Sequence, residues 1–143
     1  MIEAFDHSFE ATELEAREGI GVVITELRRM GLGDDRAGDI EIALAEAVNN
    51  VVEHAYRESG NGTVGISCQW SKDQLTLRII DAGQPMRDGE LPPGLAADVS
   101  VAFEDLPEGG FGWFLIRQLT RSIDYEREDG KNTLSLVFDA DAS

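Results

Sequence analysis

The chain has 143 residues, 42% of them hydrophobic, with 12 basic against 28 acidic side chains and a net charge of −16. That length holds one domain with a two-layer core, and no apolar run approaches the roughly 20 residues that span a bilayer. A field of this sign repels phosphate backbones and anionic lipid, which argues against nucleic acid and membrane as partners and suits solubility or docking to a basic protein surface.

The opening MIEAFDHSFEA has neither a basic start nor a greasy run, so it does not read as a signal peptide, and the expected location is the cytoplasm. Residues 2–9 alternate loosely and suit an edge strand. Thr12-Glu13-Leu14-Glu15 has the form of a capping box, with Thr12 as N-cap and Glu15 reaching back. A helix then runs to about Met30 on a stripe of Ile20, Val23, Ile24 and Leu27, and Gly31 and Gly33 suit its stop. Asp34 or Asp35 can cap a second helix that reaches about Tyr56. Its apolar stripe is Ile40, Leu44, Ala47, Val48, Val51 and Ala55.

The SGNG at 59–62 signals a turn. Two strands follow, 63–70 and 74–81, joined by the polar turn Ser71-Lys72-Asp73. The lone Cys68 has no disulfide partner in the chain and reads as a packed strand residue. From Ala82 to Gly110 the chain is rich in Gly, Pro and acid and carries no clear period. Compact domains seldom keep connections this long unless they serve as lids or binding loops. Phe111 to about Thr120 reads as a helix, 123–128 as a strand, Asp129-Gly130 as a turn and 132–138 as the last strand. The order β-α-α-β-β-lid-α-β-β implies helices on one face of a mixed sheet.

Three constellations carry chemistry. Glu46 and Asn50 lie one helical turn apart, so their side chains enter the same space. A neutral amide oxygen suits Mg²⁺ whose shell is otherwise phosphate and water, and a carboxylate beside it can orient or deprotonate an attacking hydroxyl or water. Asp81-Ala82-Gly83-Gln84-Pro85 ends an apolar strand. An Asp in that place can accept a hydrogen bond from an exocyclic amine such as adenine N6, and Gly83 lets backbone approach a flat ring. In 108–116, EGGFGWFLI, glycines lead straight into an apolar helix whose first N–H groups and dipole end can meet an anion. Each alone has a plain alternative: a solvated helix flank, a strand-ending turn, a hinge before a core helix. Their order, with a lid-length segment between the second and third, points to a nucleotide pocket.

The combination resembles the anti-sigma-factor serine-protein kinases and related regulators of partner-switching systems. These belong to the ATPase superfamily shared with gyrase, histidine kinases and the MutL mismatch-repair proteins (GHKL). AEAVNNVVEHAY is similar to the N box, IIDAGQP to the first glycine box and EGGFGWFLIRQLT to the second, and IDYEREDGKNTLSLVF to the closing strand pair. The resemblance implies a single histidine-kinase-like ATPase domain over 1–143, with an ATP lid at about 84–109. The implied fold is an α/β (α+β) two-layer sandwich of the Bergerat type, with three main helices on one face of a mixed sheet. It implies Glu46 as catalytic base, Asn50 as Mg²⁺ ligand, Asp81 on the adenine amine, Gly83 beside the ring, and Gly110 and Gly112 at the phosphates. His54 and Thr133 fall at the pocket edge. The implied function is an ATP- and Mg²⁺-dependent kinase that phosphorylates a serine of a STAS-type anti-sigma-factor antagonist, holds a sigma factor and forms a homodimer. The alternative is an ATP/ADP-gated module that sequesters a sigma factor or other regulator without kinase activity. Three departures stand out: Pro85 where the first box usually ends in Gly, Val51 where Ala is commoner after the Asn, and a lid whose only basic residue is Arg87.

Overall fold

The computed structural model describes residues 2–56, 62–85 and 110–140. Its elements are β1 (Ile2–Glu10), α1 (Glu13–Arg29), α2 (Asp34–His54), β2 (Thr63–Ser71), β3 (Gln74–Asp81), α3 (Gly110–Leu119), β4 (Ser122–Glu128) and β5 (Lys131–Asp139). All but the first two residues of the expected lid lie outside the described residues.

The five strands form one sheet in the order β1-β2-β3-β5-β4. Every pairing in it is antiparallel, which corrects the expected mixed sheet. The connection through α3 does return β4 in the direction of β3. The tight turn at Asp129-Gly130, with φ of 53° and 78°, then feeds β5 back into the gap between them. β5 runs against both neighbours, so no parallel pair forms.

The helix termini follow local chemistry. Thr12 Oγ1 accepts from the Glu15 N–H at 3.1 Å, while the Thr12 N–H donates to the Glu10 carbonyl at 2.8 Å. Only one half of the expected capping box is therefore made. At the other end of α1 the Gly31 N–H donates to Arg28 and the Leu32 N–H to Leu27, with Gly31 at φ 116° and both leucines buried. That is a Schellman stop. The N-cap of α2 is Gly33, without a side-chain cap bond; Asp34 and Asp35 lie in the first turn instead, where their charge meets the positive helix end.

Strand parity builds the core. Val64, Ile66, Cys68 and Trp70 of β2, Leu75, Leu77 and Ile79 of β3, and Leu134, Leu136 and Phe138 of β5 face the helices. α2 supplies Ile40, Leu44, Ala47, Val48 and Val51 to the same core, and each fully buried Ile, Leu or Val there contributes roughly 1.5–3 kcal/mol. Arg36 fastens the first turn of α2 to the far end of the sheet. Its Nε donates to the Asp139 carbonyl at 2.6 Å and its Nη2 to the Leu119 carbonyl at 3.5 Å, and the guanidinium lies 5.7 Å from the Phe138 ring centre. No helix among the described residues is long and apolar enough to cross a membrane.

Candidate functional site

β3 and β5 end side by side, with Asp81 paired to Asn132. Both continue the inward parity of the apolar residues before and after them, and they are only 5% and 3% exposed. Buried polar groups of this kind must find partners. The Asn132 amide donates to Asp81 Oδ1 at 2.8 Å, to the Gln84 carbonyl at 2.9 Å and to the Gly83 carbonyl at 3.3 Å. Its oxygen accepts from the Tyr125 hydroxyl and from Arg127, each at 2.8 Å. Arg127 also donates to the Gly83 carbonyl at 3.0 Å. The Gly83 N–H closes the turn on Asp81 Oδ1 at 2.9 Å. Both described bonds to Asp81 thus fall on Oδ1. Burial pushes the Asp81 carboxyl above its usual value, against the opposing pull of the Asn132 and Gly83 hydrogen bonds and the Arg127 charge.

The turn after Asp81 packs under the C-terminal end of α2. A Cβ on Gly83 would run into the Ala55 carbonyl, and the Gln84 N–H donates to that carbonyl at 2.6 Å. One of the helix's orphan carbonyls is satisfied in the same stroke.

Farther back along α2 stand Asn50 and Glu46, about 7.5 Å and 13.5 Å from Ala55 at 1.5 Å per residue, both half-buried. Asn50 Nδ2 donates to the Glu46 backbone carbonyl at 2.8 Å. One amide hydrogen is thereby engaged on the helix, and the carboxamide oxygen has no part in that bond. The first turn of α3 abuts this pair. Gly110 opens the helix, and a Cβ on the buried Gly112 would come within 2.6 Å of Glu46 Oε2 and 3.9 Å of Asn50 Nδ2. A helix N-terminus, with its unpaired N–H groups, therefore sits against a carboxylate and an amide.

Of the residues singled out in the sequence, Asp81 and Gly83 come together at one end of α2, and Glu46, Asn50 and Gly112 come together farther back, with Gly110 at the start of α3. His54 is the last residue of α2 and is exposed. Thr133 does not join them. It pairs with Ile80, and its parity places it on the sheet face turned away from Asp81. The residue beside Asp81 is Asn132, one position earlier, which the sequence reading missed. Simple alternation back from Leu134, Leu136 and Phe138 would have found it.

Comparison with known proteins places this geometry. Residues 9–138 match the family described as Histidine kinase-like ATPase domain. The chain is 35% identical over 128 residues to the serine-protein kinase RsbW of Halalkalibacterium halodurans, covering 86% of this chain and 78% of that protein. It is 34% identical over 111 residues to the serine-protein kinase RsbW of Bacillus cereus, covering 77% of this chain and 69% of the relative. Among solved structures, the RsbU and RsbW domains of Rv1364c from Mycobacterium tuberculosis share the fold with a TM-score of 0.65 at 18% identity, over 96% of this chain and 32% of that one. The SiaB-SiaC complex from Pseudomonas aeruginosa gives a TM-score of 0.58 at 16% identity, over 94% and 88%. The antiparallel sheet with its helical layer and the similarity along most of the chain agree: this protein belongs to the histidine-kinase-like ATPase family, in the branch of the RsbW serine-protein kinases.

Proposed function

We propose that the protein is an ATP-dependent serine-protein kinase that acts as an anti-sigma factor in a partner-switching system. Its substrate is a serine of a STAS-type antagonist, and it holds a sigma factor when that antagonist is phosphorylated. The observation that carries the reading is the arrangement along α2, with Asp81, Asn132 and Gly83 at one end and Glu46, Asn50 and Gly112 at the other. One end offers an acceptor for an adenine amine, and the other offers helix N–H donors for a triphosphate and a carboxylate for the attacking hydroxyl.

The residues fit Mg²⁺. Asn50, held by one amide hydrogen on the Glu46 carbonyl, would offer the ion a neutral carboxamide oxygen without adding charge to the site. Held there, Mg²⁺ would supply charge neutralisation for the phosphates. Asp81 Oδ2 accepts the adenine amine, and Gly83 lets the backbone lie against the ring. The α3 N-terminus, cleared by Gly110 and Gly112, donates N–H groups to the phosphates. Glu46 accepts the proton of the attacking serine. The serine oxygen forms a bond to the γ-phosphorus as the bond to the β,γ-bridging oxygen breaks, and ADP leaves. Placement and charge stabilisation supply most of the rate enhancement. His54 lines the pocket edge. The protein works in the cytoplasm as a homodimer, and its charge of −16 directs it to proteins rather than to nucleic acid or membrane.

The test is to mix the protein with Mg-ATP and a STAS-domain antagonist and look for phosphoserine by mass spectrometry. Labelling is expected with the wild type and is lost in Glu46→Ala, which still binds ADP. ADP binding without labelling of any antagonist would instead favour a nucleotide-gated binding module. No thermal shift with Mg-ADP would remove the nucleotide reading altogether.

A further inference from the structure

We infer that Tyr56 is a positioning residue for the nucleotide, acting by inserting its hydroxyl as an extra link between β2 and β3 and so holding the Asp81-Ala82-Gly83 turn beneath α2. This rests on the nucleotide reading of the site. The last β2–β3 pair is Val64 with Asp81, so the next rung would join Thr63 to Ala82. The Gly62 carbonyl is bonded outward to the Ala11 N–H of the β1 end at 2.9 Å. Successive carbonyls of a strand alternate in direction, so the Thr63 carbonyl faces β3. The rung does not close directly. The Tyr56 hydroxyl donates to the Thr63 carbonyl at 2.7 Å and accepts from the Ala82 N–H at 2.8 Å. One phenol thereby replaces one ladder bond with two and separates the strands by the width of an oxygen.

The ring needs its own room. A Cβ on Gly62 would strike the Tyr56 ring edge, so the glycine leaves the space that the phenol fills. Tyr56 follows Ala55, whose carbonyl accepts the Gln84 N–H and overlies Gly83. The two neighbouring residues grip the turn from both sides, Tyr56 at Ala82 and Ala55 at Gly83 and Gln84. Without the hydroxyl, Thr63 and Ala82 are free to pair as an ordinary rung. Ala82 then moves toward β2, Gly83 moves away from α2, and the Asp81 carboxylate is re-aimed.

The experiment compares wild type and Tyr56→Phe for ADP affinity by calorimetry, for KM and kcat toward ATP, and for thermal stability without nucleotide. The expected result is an ADP Kd and an ATP KM raised about tenfold, the scale of one re-aimed hydrogen bond. The kcat is expected to stay within about twofold, because Glu46 and Asn50 are untouched. The Tm without nucleotide is expected to change little, because a direct rung replaces the bridge. A variant that loses Tm but binds ADP like wild type at a temperature well below its Tm overturns the inference, since a purely structural tyrosine behaves in that way. Gly62→Ala, which displaces the ring, serves as the second variant and is expected to raise the Kd similarly. Hydrogen exchange on the wild type adds a readout independent of mutant folding. The Ala82 amide is expected to exchange slowly without nucleotide, and fast exchange there overturns the clamp. If the wild type itself binds no ADP, the nucleotide reading fails instead, and the exchange result separates the two failures.

Discussion

The two ends of the site are built in different ways. The end around Asp81 is a product of strands. Two sheet residues, Asp81 and Asn132, face each other by register, and the turn that follows is netted by Asn132, Arg127 and its own backbone. The end around Glu46 is a product of two helices in contact. It has one intrahelical bond from Asn50 and a glycine that lets α3 close on the carboxylate. A dense polar network with one acceptor, Asp81 Oδ2, outside its described bonds is stiff and selective, so the first end suits recognition of a base. A close helix contact is set by how α3 approaches, so the second end is where chemistry can be tuned without disturbing recognition.

That division can be broken by experiment. The largest effect is expected from Glu46→Gln, which should lower kcat for phosphoryl transfer by roughly 10²–10⁴, the range of a lost general base, while ADP affinity by calorimetry stays near wild type. A matching loss of ADP affinity would mean that the two ends do not work separately. Asp81→Asn should raise the ADP Kd by roughly 10–100-fold, as for a lost hydrogen bond to a charged acceptor. Its Tm without nucleotide should hold or rise, because the substitution removes a buried charge whose desolvation raises its pKa. Gly112→Ala should lower kcat on the order of tenfold by pushing Glu46 Oε2 aside. The obstacle is the end of a movable side chain, so melting should shift little.

The smallest effect is on pH. The Asp81 carboxyl in the folded protein lies above its unfolded value. In the window between those two values the folded state binds the additional proton, so lowering the pH through it stabilises the ligand-free fold and raising the pH removes that gain. The same proton neutralises the acceptor. ADP affinity should therefore fall on acidification from a pH above the ordinary carboxylate range, by a few-fold in titrations against wild type, and the dependence should vanish in Asp81→Asn.

Much of this was legible in the residues. The stripes Ile20-Val23-Ile24-Leu27 and Ile40-Leu44-Val48-Val51 specify two buried helix faces whatever the tertiary contacts, and both are buried as read. Glu46 and Asn50 follow from one turn of helix. Sheet direction was not legible, because whether the α3 connection gives a parallel pair depends on where β5 lands, a non-local matter. Asn132 was legible in principle. Strand parity from Leu134, Leu136 and Phe138 assigns residue 132 to the helix side and residue 133 to the other. Thr133 was singled out by the family resemblance, whereas its direction is set by its odd place in the alternation. The Tyr56 bridge could not be read at all, since it depends on two backbone groups from distant strands meeting one side chain.

The two anchors flanking the chain between Pro85 and Gly110 have an evolutionary consequence. The Gln84 bond to Ala55 fixes where this connection leaves the body, and the seat of Gly112 on Glu46 fixes where it returns. For a connection between fixed endpoints, each doubling of length costs only about 0.6 kcal/mol of closure entropy. Descendants of this scaffold are free to lengthen, shorten or rewrite the sequence between those two anchors at little closure cost, with the Ala55–Gln84 bond and the Gly112 seat unchanged.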